Sequence, residues 1–189
     1  PSAEHLAELL QHAKKLKLRA VLMPIVLLAN PRGNDWRGTL KPSSWDEWFN
    51  SYRDAMHFFS WIAQGNGVDV LVVGSELVTA EKQVDQWRKT IKSVRETYKG
   101  ILTYSANWDV YRSVPFWDDL DLIGLNSYWT LGMVEGKKIG VDKLQVNDLK
   151  KRWREIQKDL LDFSREEGKP ILFTEVGWCS LANAAHDPW

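Results

Sequence analysis

Five short, largely apolar runs alternate with amphipathic helical stretches along this chain, and that alternation narrows the possible folds more than any other feature. The runs are Arg19–Val26, Val68–Gly74, Ile101–Ser105, Leu120–Asn126 and Ile171–Thr174. Between them, apolar residues recur at helical spacing. Leu6, Leu9, Leu10, Ala13 and Leu16 follow Ser2, a candidate N-cap. Trp48, Phe49, Tyr52, Met56, Phe59 and Ala63 follow a capping-box pair, Ser44 and Glu47. Val84, Trp87, Ile91, Val94 and Tyr98 end at Gly100, and Leu149, Trp153, Ile156, Leu160 and Phe163 end at Gly168 and Pro170. Strands apolar on both faces and separated by helices imply a parallel sheet covered by those helices. The expected class is α/β, with an open doubly wound sheet as the rival to a barrel. No run leads into the Gly-rich phosphate loop that marks the doubly wound case.

Two of the runs end on a glutamate. Val70-Leu71-Val72-Val73-Gly74-Ser75 leads to Glu76, and Pro170-Ile171-Leu172-Phe173-Thr174 leads to Glu175. The C-terminal ends of barrel strands are where catalytic groups sit, and two carboxylates from different strands suit the acid/base and nucleophile of a glycosidase. A single strand-end glutamate is as readily a solvated charge; a matched pair among Trp-rich loops points to chemistry.

Composition removes several other classes. Lys+Arg and Asp+Glu each number 25, so the formal net charge is zero; nothing favours a nucleic-acid or anionic-membrane partner. No apolar stretch nears the ~20 residues of a membrane-spanning helix. Cys179 is the lone cysteine, which rules out an intramolecular disulfide, leaves the compartment open, and offers no Cys/His pair for a thiol nucleophile. His5, His12, His57 and His186 lack metal-ligand spacing. Asp109, Asp118, Asp119 and Asp121 read as helix caps and loop charges ahead of a calcium site. The 11 tryptophans suit stacking on the apolar faces of sugar rings. Trp36, Trp108, Trp129 and Trp178 follow strands and are candidate subsite walls, although any one of them is equally at home packing a loop. Trp45, Trp48, Trp61, Trp87 and Trp153 lie in helices and are expected in the core. Arg37 is either a loop ion pair or a substrate contact.

As an ordered set, Val73-Gly74-Ser75-Glu76-Leu77, Trp87-Arg88, Gly100 through Trp108, Phe116-Trp117-Asp118 with Asp121 through Gly124, and Phe173-Thr174-Glu175-Val176-Gly177 resemble glycoside hydrolase family 113. These are β-mannanases of the clan of retaining (β/α)8 glycosidases. The resemblance covers nearly the whole chain, from the helix before the third barrel strand to just past the seventh. It implies an incomplete (β/α)8 TIM barrel, with residues 1–189 a partial catalytic domain in which the first, second and eighth strands have no counterpart. The chain opens at a helix start with no signal peptide before Pro1, which agrees with a segment of a longer protein.

The resemblance further implies that Glu76 is the acid/base, Glu175 the nucleophile, and the substrate a β-1,4-linked mannan or oligosaccharide, with no cofactor and no metal. A retaining pair stands roughly 5–5.5 Å apart, and its two members must titrate apart. Tyr128, just past the sixth strand, is placed to donate to Glu175 or else to pack at the core edge. Asn107 is a candidate for a sugar hydroxyl. Most clan members carry Asn before the acid/base, bonding the sugar 2-hydroxyl; here that position is Ser75. Another β-glycan, or a degenerate barrel that only binds carbohydrate, are the alternatives.

Overall fold

The computed structural model describes residues 2–134 and 136–188. In chain order the elements are α1 (Ala3–Lys15), β1 (Val21–Leu22), α2 (Trp45–Asn66), β2 (Val70–Ser75), α3 (Val84–Thr97), β3 (Ile101–Ala106), β4 (Ile123–Ser127), β5 (Met133–Val134), β6 (Lys137–Lys138), α4 (Val146–Glu167) and β7 (Ile171–Val176). Short 3-10 turns link several of them.

β1, β2, β3, β4 and β7 pair side by side in that order, every neighbour parallel. Sequential order with helical segments between successive parallel strands is the arrangement of a (β/α)8 barrel, and these strands form an arc of one. The stretch 131–147, read as loop, contains the small antiparallel β5–β6 hairpin. Among the described residues no helix is long and apolar enough to cross a membrane.

Local chemistry explains the helix limits. Ser44 Oγ accepts the Glu47 amide at the start of α2, and Gly67 ends it in the left-handed conformation. Ser2 caps α1 by accepting the His5 amide.

Two expectations need correction. The run 19–26 pairs only at Val21 and Leu22. Pro24 has no N–H to give a sheet ladder, and the run lies at the arc's edge, where Val21 is 50% exposed. Trp61, expected in the core, is 68% exposed. Phe49, Tyr52, Met56, Ser60 and Ala63 occupy the inner face of α2, and at ~100° per residue Trp61 falls far round the helix from them.

The core beneath the middle strands is aromatic. Trp87 of α3 is fully buried. It meets Phe49 and Tyr104 edge-on, with centroids at 5.4 and 5.3 Å, and stacks on Phe116 at 5.1 Å. Its indole N–H donates to the Ala80 carbonyl at 2.9 Å. Tyr52 donates to the Val73 carbonyl at 2.7 Å. Gly74 lies on this cluster: a Cβ there would stand 2.6 Å from Trp87 Cη2 and 3.0 Å from Tyr104 Cε2. These rings are interlocked and have no free direction to move. Gly74→Ala is therefore expected to lower the unfolding free energy by about 1–3 kcal/mol, the usual cost of overpacking, as measured by urea denaturation. A loss below ~0.5 kcal/mol, the scatter of ordinary surface changes, would mean the rings have room.

Candidate active site

At the C-terminal ends of the strands, Glu76, Glu175, Trp36, Asn107, Trp108, Asp109 and Tyr128 line one cleft of about 580 Å³. The fold delivers the two glutamates by the same local device. Between β2 and β3, Val72 pairs with Thr103 but Ser75 pairs with Ser105, so β2 carries one extra residue just before Glu76. Between β4 and β7, Leu125 pairs with Phe173 but Asn126 pairs with Glu175, so β7 carries one extra residue just before Glu175. Such bulges bend a strand end and re-aim the side chain that follows. Glu76 itself has φ +54°, a left-handed backbone that a residue with a side chain adopts at some cost and that concentrates at functional sites.

Arg37 joins the two carboxylates. One of its terminal nitrogens, Nη2, pairs with Glu76 Oε2 and lies 3.7 Å from Glu175 Oε1. Its position comes from the short turn Arg37–Thr39. Thr39 Oγ accepts the Trp36 amide at 3.1 Å and donates to the Trp36 carbonyl at 2.9 Å. Trp36 folds over Gly38, where a Cβ would collide with the indole at 2.3 Å. Thr79, just past Glu76, binds the same loop: its amide donates to the Gly38 carbonyl at 3.1 Å and its hydroxyl to the Leu40 carbonyl at 2.7 Å. The loop bearing Arg37 and the loop bearing Glu76 are thus stapled together.

Asn126, in the wall of the arc, connects the rest. Its amide nitrogen donates to Glu76 Oε1 and, at 2.6 Å, to Asn107 Oδ1, while its oxygen accepts the Trp108 amide at 2.9 Å. The Tyr128 hydroxyl donates to Glu175 Oε2 at 3.0 Å. Burial pushes the Glu76 carboxyl above its ordinary pKa; Arg37 pulls it down, and Glu175 and Asp109 push it up further. Tyr128 is also raised, by burial and by its bond to Glu175.

Of the residues singled out in the sequence, Trp36, Asn107, Trp108 and Tyr128 therefore share a cleft with both glutamates. Ser75 is buried beneath it, and among the described residues its hydroxyl has no hydrogen-bond partner. Trp129 is only 6% exposed and packs against Trp108, Trp153 and Phe173, so it backs the cleft wall and does not face the cleft. Trp178 lies in a separate groove with Leu131, Val146 and Trp153. Sequence reasoning left Arg37 undecided, missed Asn126, and read Asp109 as a helix cap or loop charge although it lines the cleft. The signal for Asn126 was a polar residue inside a buried run. That for Asp109 was its place two residues past a strand-end asparagine. The neighbouring acids are structural: Asp118 and Asp119 pair with Arg88, and Asp121 with Arg95. Among the described residues no group of three or more His, Cys, Asp or Glu is arranged to hold a metal ion.

Known proteins give this geometry a context. The sequence pattern of Glycoside Hydrolase Family 113 matches residues 1–189. A β-mannanase of that family from Alicyclobacillus acidocaldarius, solved in complex with ManMIm, superposes with TM-score 0.82 at 32% identity, over 100% of this chain and 56% of its own. A family 113 β-1,4-mannanase superposes at 0.80 with 30% identity, over 99% of this chain and 56% of its own. The chain thus spans little more than half the length of these solved relatives. A fungal β-1,4-galactanase at 15% identity and TM-score 0.58 shares the fold. Among curated protein sequences none matches.

The Arg37 guanidinium favours the charged form of Glu76. Arg37→Met is expected to raise the Glu76 pKa further, read by carbon NMR titration of labelled glutamate side chains. Because that pKa already lies above its unfolded value, the stability Glu76 contributes is fully present below the unfolded pKa and fades as pH rises through the folded one; the variant should fade more steeply. An unchanged or lowered pKa would contradict the ion pair.

Proposed function

The chain belongs to Glycoside Hydrolase Family 113, and from that membership we propose that it carries the catalytic pair of a retaining glycoside hydrolase that cleaves β-1,4-mannosidic bonds in mannan-type polysaccharides. Residues 1–189 are, in this reading, part of the catalytic barrel. The observation that carries the proposal is Arg37, one nitrogen of which reaches both carboxylates across an aromatic-lined cleft. Spanned by a single nitrogen, the nearest oxygens of the pair are closer than the roughly 6.5–9.5 Å an inverting enzyme needs to admit water, which favours double displacement.

The roles follow from the surroundings. Glu76, held up in pKa by burial, keeps the proton that the leaving oxygen requires. Glu175 has a phenol donor at one oxygen and the guanidinium near the other; it attacks the anomeric carbon as the glycosidic C–O bond breaks and Glu76 protonates the departing oxygen. Water then attacks the glycosyl ester, gives a proton to Glu76, and releases Glu175. After the first step Glu76 is ionised and able to act as base, with Arg37 beside it. Trp36 and Trp108 offer ring faces to the sugar, and Asn107 a hydrogen bond to a hydroxyl. Ser75 is too buried to reach the 2-hydroxyl without movement. Trp178, in the separate groove, is a contact for a sugar farther along the polymer.

Alanine variants test the division of labour. Glu175→Ala is expected to abolish sugar release from mannan and from activated aryl β-mannosides alike. Glu76→Ala is expected to lose about 10²–10⁴-fold on mannan yet give a burst with a good leaving group, which needs little acid help. Near wild-type mannan hydrolysis by either variant would refute the assignment. Binding of mannan without sugar release by the unaltered protein would place it among carbohydrate-binding barrels.

A further inference from the structure

Glu81 is a buried carboxylate, 5% exposed, that the chemistry above does not use. No cation pairs with it among the described residues, and burial is costly for an acid so placed. Its carboxyl is pushed up to about 7, chiefly by burial. What it does contact is the hydroxyl of Tyr104, which donates to Glu81 Oε1 at 2.8 Å. The same hydroxyl accepts the Leu77 amide at 2.8 Å. Leu77 follows Glu76, the residue with φ +54°, and the Glu76 amide itself donates to the Ser105 carbonyl of β3 at 2.9 Å. The backbone on both sides of Glu76 is therefore clamped to β3, once by main chain and once by a side chain.

We propose that Tyr104 and Glu81 form a positioning pair for Glu76: Glu81 orients the phenol, the phenol holds the Leu77 N–H, and that bond keeps Glu76 in the left-handed conformation that aims its carboxyl at Asn126 and Arg37. The inference rests on the reading of Glu76 as acid/base. The chain of contacts is rigid throughout. The Tyr104 ring is fully buried and packed edge-on against Trp87 and Phe116, and Trp87 in turn fixes the turn carrying Glu81 through Ala80. An acceptor at Leu77 is obligatory, because a buried amide left without one is destabilising. A main-chain carbonyl would meet that need without a buried acid; the phenol–carboxylate pair adds an orientation that a carbonyl does not. Glu81 Oε1 accepts the hydrogen bond from the Tyr104 hydroxyl whether Glu81 is charged or carries its proton on Oε2.

The test compares two substrates, mannan and a dinitrophenyl β-mannobioside whose leaving group needs no acid, across four variants of the complete enzyme. Tyr104→Phe is expected to lower kcat on mannan by about 10- to 100-fold, the scale of a misplaced catalytic group, with KM little changed, and to lose far less on the activated glycoside. Glu76→Ala should show the same selectivity, more strongly. Glu81→Gln keeps an oxygen acceptor and should stay close to wild type on both substrates, whereas Glu81→Leu should behave as Tyr104→Phe does; this second pair decides the matter if Tyr104→Phe does not fold. Equal losses on both substrates in Tyr104→Phe, or a fully active Glu81→Leu, with Glu76→Ala still selective, would overturn the positioning pair and leave the acid/base reading standing. A Glu76→Ala variant with equal losses on both would overturn both.

Discussion

Two carboxylates that face each other across a cleft repel, and everything at this site follows from Arg37 lying between them. At an effective dielectric of 20, two like charges 4 Å apart oppose each other by about 4 kcal/mol. A guanidinium with one terminal nitrogen near both carboxylates offsets that repulsion without neutralising either acid permanently. It also leaves the two unequal. Glu76 has burial, Glu175 and Asp109 pushing it toward the neutral form, while Glu175 has Tyr128 and Arg37 at its oxygens. In the proposed reading, placement alone makes an acid of one of these identical side chains and a nucleophile of the other.

The placement is built by strands and held by aromatic rings. An extra residue in β2 and another in β7 tilt the two strand ends toward one cleft. Below them, Trp87, Tyr104, Phe49 and Phe116 form a packed aromatic layer that leaves space for no side chain at position 74. The loop that brings in Arg37 is irregular, yet it is fixed by three bonds of Thr39 and Trp36 and two of Thr79. A loop held this way presents a side chain as reproducibly as a strand does.

The alternation of apolar runs and helical stripes made the parallel sheet legible, because period and burial are local properties of a sequence. The strand-end glutamates were legible for the same reason. Residues whose meaning depends on tertiary approach were not. Arg37 becomes significant only when its loop crosses to Glu76, about forty residues away in sequence. Asn126 reads as the end of an apolar run until the arc brings it to Glu76 and Asn107. The tryptophans divide by direction, which composition does not encode: Trp36 and Trp108 face the cleft, Trp129 backs it, and Trp178 faces another groove. The run 19–26 reads as a long strand because its composition is apolar, but Pro24 and its edge position leave two paired residues.

Covalent trapping tests the central claim, that Glu175 is the attacking carboxylate and Glu76 its proton partner. Incubation with a 2-deoxy-2-fluoro β-mannosyl fluoride, followed by peptic digestion and mass spectrometry, would identify the labelled residue. The account predicts a single fluoromannosyl ester on the peptide containing Glu175, formed in wild type and in Glu76→Ala. A label on Glu76, or turnover of the reagent with no ester and with inverted product, would contradict it.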